Sequence, residues 1–237
     1  MASHITAWPT MSATPLLETL EGETGPNPGA TVIVLHGLGA DGNDFVPICE
    51  ELDLDAVGAV RFIFPNAPVR PVTINGGYRM RAWYDILGTD LQRREDEAGL
   101  RESCAAITAL LDRERQRGVA ANRIVLAGFS QGCAMTLMTG LRYGERLAGL
   151  AGLSGYLPLA DSTAAERSEA NRDVPIFLAH GSEDEIVAPA RGRASRDALA
   201  ALGHAVEWHE YPMEHSVCPD EIGALNQWLL RVLGALP

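Results

Sequence analysis

The chain is predicted to adopt an α/β fold, with a mostly parallel central sheet and helices on both of its faces. Three observations predict it. Apolar, β-branched segments alternate with longer helical patterns along most of the 237 residues, the signature of strands joined by crossover helices. A hydrophobic content of 46% with 21% charged residues suits one large soluble core, and no apolar run approaches the length of a bilayer span. No internal repeat or low-complexity block interrupts the alternation.

Residues 1–14 are expected to form a flexible N-terminal extension, with Met11 as an alternative natural start, and residues 15–237 a single domain. A first strand is expected at Leu16 to Leu20. Further strands are expected at Thr31 to Leu35, Ala59 to Phe64, Ile124 to Ala127, Leu147 to Leu153, Ile176 to Ala179 and Val206 to Tyr211. Between them, helical patterns run over Asp44 to Leu52, Glu97 to Gln116, Gln131 to Arg142, Pro189 to Leu202 and Pro219 to Leu233. Pro65 to Thr89 is rich in Pro and Gly yet contains Ile74, Tyr78, Trp83, Tyr84 and Leu87, so it reads as an irregular loop folded over something. Tyr156 to Asp173 is short, polar and irregular.

The net charge of −12 argues against nucleic acid as a partner, because phosphates need a basic face. The charge runs Arg93 to Glu97 and Arg113 to Arg117 mix signs at helical spacing and are expected to be solvated helix faces. Cys49, Cys104, Cys133 and Cys218 lack C-x-x-C spacing and are expected to be reduced and mostly buried. The first fourteen residues carry no Lys or Arg and no sustained apolar stretch, so a cytoplasmic location is expected.

The chemistry concentrates at Gly128-Phe129-Ser130-Gln131-Gly132, which joins an apolar strand to a helical pattern. A serine at the tip of such a turn must adopt strained backbone angles, and small neighbours let strand and helix approach. This is the nucleophile elbow pattern, and it makes Ser130 the candidate nucleophile. An elbow serine is served by an acid and then a histidine, both later in the chain. The loop after Ile176 to Ala179 supplies Glu183, Asp184 and Glu185 as candidate acids. The loop after Val206 to Tyr211 supplies His215, while His4, His36 and His180 precede those acids and His204 and His209 lie before or inside the last strand. In the expected mechanism His215 takes the Ser130 proton as the oxygen attacks an ester carbonyl, an acyl-enzyme forms, and water activated by His215 releases the acid.

The tetrahedral oxyanion needs preorganised donors. The backbone N–H of Gln131 opens a helix at the required place, and the N–H of Leu38, in Leu35-His36-Gly37-Leu38-Gly39, is the expected second donor. The run Gly37-Leu38-Gly39-Ala40-Asp41-Gly42 also matches a dinucleotide fingerprint, but Asp41 and Asp44 would face a pyrophosphate with like charge, and Pro47 breaks the usual helix. His209-Glu210-Tyr211-Pro212-Met213 lacks the second histidine of a zinc motif. No cofactor and no metal are expected.

Six ordered stretches then carry a resemblance. They are Leu35 to Gly42, Phe64-Pro65-Asn66-Ala67-Pro68, Ala82-Trp83-Tyr84-Asp85, Gly128 to Gly132, Gly181 to Val187, and His215-Ser216. Together the chain resembles the phospholipase and carboxylesterase family of α/β hydrolases, which includes the acyl-protein thioesterases, and Thr73 to Tyr78 with Arg81 to Asp85 looks most like its bacterial carboxylesterase branch. The resemblance implies an α/β-hydrolase fold without a large cap, and Tyr156 to Asp173 is too small and polar to supply one. It implies Asp184 as the third member of a Ser130, Asp184, His215 triad, and an acyl groove near Leu38, Ile74, Trp83 and Val187. Cys133 departs from the glycine common there, which implies slight crowding behind the elbow. The expected activity is hydrolysis of short- to medium-chain carboxylic esters, with acyl-protein thioesterase or lysophospholipase as alternatives and a non-catalytic binding protein as a distant one. The expected partner is a small-molecule ester or thioester, and a homodimer is implied by the resemblance alone.

Overall fold

The computed structural model describes residues 16–88 and 95–234. The expected extension over residues 1–14 and the question of the natural start lie outside the described residues, as does Thr89. Seven strands form one sheet: β1 (Thr19–Glu23), β2 (Ala30–Leu35), β3 (Val60–Pro65), β6 (Ile124–Phe129), β7 (Gly149–Leu153), β8 (Ile176–Gly181) and β9 (Val206–Tyr211), in the order β1-β3-β2-β6-β7-β8-β9. Every pairing is parallel except β1 with β3. Alternation along the strands sends side chains to two cores. Ile33, Leu35 and Leu126 pack under α2 (Glu97–Gln116), α3 (Gln131–Arg142) and α5 (Pro189–Ala201), while Val32, Val34 and Phe177 pack under α6 (Pro219–Gly234).

The order of the strands decides where chemistry can gather. The chain runs outward from β2 to β3 and then returns to place β6 on the other side of β2, so the loops after β2 and β6 diverge at a topological switch point. The loops after β8 and β9 leave from the same carboxyl edge.

Four departures from the sequence expectations have local causes. The first strand begins at Thr19 rather than Leu16. It is an edge strand, exposed over Leu20 to Glu23 and held by pairing to β3, so it has no alternation to read. The stretch after β3 contains a two-stranded hairpin, β4 (Val69–Val72) with β5 (Tyr78–Arg81), whose outward side chains likewise hide its period. The helix expected at Asp44 to Leu52 is a 3₁₀ turn over Gly42–Phe45 followed by α1 (Val46–Glu50), because the Asp41 carboxylate caps the turn and Pro47 fits only near a helix start. The polar stretch after β7 includes α4 (Ala160–Glu166), tied down where Glu166 meets Arg101 and Arg142 at 2.8 Å each.

The Arg113 to Arg117 run is not simply a solvated face. The Glu114 carboxylate is fully buried and receives Thr31 Oγ1 at 3.0 Å, Arg61 at 2.8 Å and Arg117 at 3.0 Å. Partners from β2 and β3 offset the cost of burying that charge, and they lie 83 and 53 residues away in the chain. Among the described residues no helix is long and apolar enough to cross a membrane.

Candidate active site

The elbow is built by steric exclusion. Ser130 sits at φ 55° and ψ −116°, a left-handed conformation that costs a non-glycine residue about 1–3 kcal/mol. Its N–H is held by the Leu153 carbonyl at 2.8 Å. A Cβ at Gly132 would overlap the Leu35 carbonyl oxygen, and one at Gly128 would overlap Gly132. Only glycine lets β6, α3 and β2 close to this distance. Cys133 is accommodated in the same manner: a Cβ at Gly152 or Gly155 would overlap its side chain, so those glycines absorb the expected crowding. Burial pushes the Cys133 thiol up to about 12.

The structure brings Ser130, His215 and Asp184 together from the ends of β6, β9 and β8. His215 Nδ1 lies 2.7 Å from Asp184 Oδ2, and His215 Nε2 lies 2.9 Å from Ser130 Oγ. The carboxylate only accepts, so Nδ1 carries a proton and Nε2 is free to receive one from the serine. Asp184 is 3% exposed, and its Oδ1 accepts the N–H groups of Ile186 and Val187 at 2.9 and 2.8 Å. Those two bonds fix the carboxylate before the imidazole adds a third. Glu183 and Glu185, its rivals in sequence, are exposed.

His180 precedes the candidate acids in the chain, yet it braces Asp184. Its Nε2 is 2.7 Å from the Val187 carbonyl and 3.4 Å from Asp184 Oδ2. A carbonyl only accepts, so Nε2 bears the proton, and burial holds the ring's pKa below its usual value and therefore neutral. Nothing near it in sequence signals this, because its partner loop folds back from the strand end.

Leu38 and Gln131 both border the cleft, and among the described residues neither backbone N–H has a protein partner. The Leu38 loop is held by His36. Its Nε2 accepts the Ala67 N–H at 3.0 Å, which leaves Nδ1–H to donate to the Gly37 carbonyl at 2.7 Å. The Gly39 N–H donates to the Arg81 carbonyl of β5 at 2.9 Å, so the hairpin also supports this loop. The Gln131 side chain is itself structural: Oε1 accepts the Trp83 N–H at 2.7 Å and Nε2 donates to the Tyr84 carbonyl at 2.7 Å.

A cleft of about 920 Å³ opens over Ser130. Leu38, Ile74 and Val187, three of the four residues expected to contact substrate, line it. Trp83 does not. It is fully buried, donates Nε1–H to the His36 carbonyl at 2.9 Å, and packs against the His36 ring at 5.3 Å between centroids. It thus holds the Leu38 loop from behind. The neighbouring Tyr84 reaches the cleft, together with Ile86, Tyr156 and Ile186. The expectation of a loop folded over something is met by Ile74 and Ile86, whose backbones bond at 3.0 Å beside the cleft.

Residues 23–233 match the phospholipase/carboxylesterase family. The chain is 41% identical over 205 residues to acyl-protein thioesterase 1 of Yarrowia lipolytica, covering 84% of this chain and 90% of that protein. Over 213 residues it is also 41% identical to acyl-protein thioesterase 1 of Neurospora crassa, with 86% and 87% covered. Among solved structures it superimposes on Zea mays acyl-protein thioesterase 2 with a TM-score of 0.80 at 30% identity, covering 91% of this chain and 99% of that one. Against esterase PE8 the TM-score is 0.76 at 27% identity, over 92% and 98%. An elbow serine in this fold, with a sequence match over nearly the whole described length, means that the chain belongs to the phospholipase/carboxylesterase family of α/β hydrolases and is a serine hydrolase of esters or thioesters.

Proposed function

We propose that the protein removes acyl groups from thioester or ester linkages to large leaving groups, as an acyl-protein thioesterase does, with Ser130 as nucleophile, His215 as base and acid, and Asp184 as the group that orients His215. Ser130 Oγ attacks the acyl carbonyl while its proton passes to His215 Nε2. The carbonyl oxygen becomes an oxyanion between the N–H groups of Leu38 and Gln131, each worth about 3 kcal/mol of transition-state stabilisation. The imidazolium, stabilised by Asp184 across 2.7 Å, protonates the departing thiol or alcohol, leaving an acyl-serine. Water then gives its proton to His215, attacks the acyl-serine, and the proton returns to Ser130 as the carboxylic acid departs.

The observation that carries the leaving-group assignment is the open cleft over Ser130, rimmed by the exposed side chains of Ile74 and Ile186. An uncapped serine admits a leaving group too large for a closed tunnel, and the relatives named acyl-protein thioesterase support the same choice. This reverses the order expected from sequence, which put small carboxylic esters first. That second reading keeps one favourable observation: the cleft wall includes Tyr84 and Tyr156, whose bonded hydroxyl pair a long alkyl chain would leave unmatched. The four free cysteines accord with a cytoplasmic setting.

Turnover of an S-acylated peptide, a lysophospholipid and a short aryl ester, measured in parallel as kcat/KM, tests the assignment. Preference for the acylated peptide is expected, and preference for the aryl ester would install the second reading. Covalent labelling by a fluorophosphonate is expected to disappear in Ser130→Ala, and labelling retained in that variant would remove Ser130 from the mechanism.

A further inference from the structure

We infer that the acyl-binding part of the cleft carries a built-in hydrogen-bond donor, the Tyr84–Tyr156 hydroxyl pair, and that it selects acyl groups bearing an oxygen atom along the chain over plain alkyl groups. The inference rests on the ester and thioester reading above and deepens it. Tyr84 and Tyr156 both line the cleft that contains Ser130, and they are 3% and 7% exposed. Their hydroxyl oxygens are 2.7 Å apart, across 72 residues of chain.

Two phenols carry two O–H protons, and the bond between them uses one, whichever oxygen donates. The other proton has no acceptor among the described residues. Glu95, the carboxylate whose charge reaches Tyr84, accepts the Leu159 N–H and bonds neither hydroxyl, while Arg191 of α5, whose guanidinium carbon lies 3.5 Å over the Tyr156 ring, donates but never accepts. That cation withdraws electron density from the phenol through the ring face, which strengthens the pair as a donor. Burial has the opposite effect on ionisation: it raises the Tyr84 hydroxyl far above its usual range, so Tyr84 keeps its proton. A preorganised and unspent donor therefore belongs to the wall of a cleft whose lining also includes Ile86 and Val187.

An unpaired donor in such a wall discriminates in one direction. An alkyl chain laid against it strips its water and returns nothing, whereas an ether, hydroxyl or keto oxygen at the right carbon accepts the bond. The pair is a specificity determinant acting on the acyl chain, separate from the Leu38 and Gln131 donors that face the reacting carbonyl.

The test uses 4-nitrophenyl octanoate and its isosteres with an ether oxygen replacing the methylene at position 3, 5 or 7. For each, kcat/KM is divided by the value for the octanoate. The wild-type protein is expected to favour one oxygen position by about tenfold, or about 1.4 kcal/mol. The double variant Tyr84→Phe with Tyr156→Phe is expected to lose that preference whatever its absolute rate. Comparing variant with wild type cancels the intrinsic reactivity of each ester, and a general loosening of the cleft would not single out one oxygen position. Each single variant leaves one donor in a displaced place, so the favoured position is expected to move in at least one of them, which keeps the test available if the double variant does not fold. A ratio profile identical in all foldable variants and wild type overturns the inference while leaving the hydrolase reading intact. Absence of turnover of every ester overturns both.

Discussion

Glu221 offers a quantitative test of how the start of α6 is buried. It occupies the third position of α6, it is fully buried, and neither carboxyl oxygen has a hydrogen bond of normal geometry among the described residues. Burial pushes its pKa from 4.5 to about 8, opposed in part by the Cys218 backbone N–H. Below pH 4.5 the carboxyl is protonated in both folded and unfolded chains, and its contribution to stability is fully present. As pH rises from there, the unfolded chain releases the proton while the folded one keeps it, so stability falls until the folded group ionises near pH 8. At about 1.4 kcal/mol per pKa unit the whole shift is worth about 5 kcal/mol, of which about 4 is lost between pH 5 and pH 9. Glu221→Gln keeps the shape and removes the titration. Urea unfolding at pH 5 and pH 9 is expected to give a variant whose stability relative to wild type improves by several kcal/mol at the higher pH. An equal difference at both pH values would refute the burial argument.

Three further outcomes follow from the packing around the site. Gly132→Ala drives a Cβ into the Leu35 carbonyl, so it is expected to lose more than about 4 kcal/mol of stability or to fail to fold, and a wild-type Tm would contradict the close approach. Trp83→Phe removes the Nε1 donor to the His36 carbonyl at a cost of about 1–3 kcal/mol and loosens the Leu38 loop; kcat is expected to fall more than KM rises, while a change in KM alone would return Trp83 to the substrate groove. Cys133, with its thiol pushed up to about 12, is expected to resist a thiol reagent at pH 8 until the protein is unfolded, and prompt native labelling would show that the space behind the elbow opens.

Much of the fold and the reaction was legible because it rests on local constraints. On the main sheet β2, β3, β6, β7 and β8 are short apolar runs bounded by turns and helical patterns. The elbow needs glycine at 128 and 132, where strand, helix and a neighbouring backbone collide. Ser130, the acidic loop and His215 could be found because each lies just after a strand of a parallel sheet, and such strands deliver their ends to one edge. The weaker elements, β1 and the β4–β5 hairpin, were misplaced or unseen since exposed strands carry no apolar alternation.

Residue-level roles depended on contacts between distant parts of the chain. Trp83 and Tyr84 are adjacent aromatics, yet one braces His36 from behind and the other meets Tyr156 in the cleft. Glu114 and Glu221 look like ordinary helix carboxylates, but one is buried with partners from β2 and β3 and the other without a partner of normal geometry. Sequence alone thus identified the acyl-transfer chemistry, because backbone geometry and chain order bring serine, acid and histidine to one edge. The folded structure assigned Trp83 to support and Tyr84 to the cleft and revealed the buried carboxyl groups, because those properties depend on which surfaces pack together across tens of residues and not on any local period.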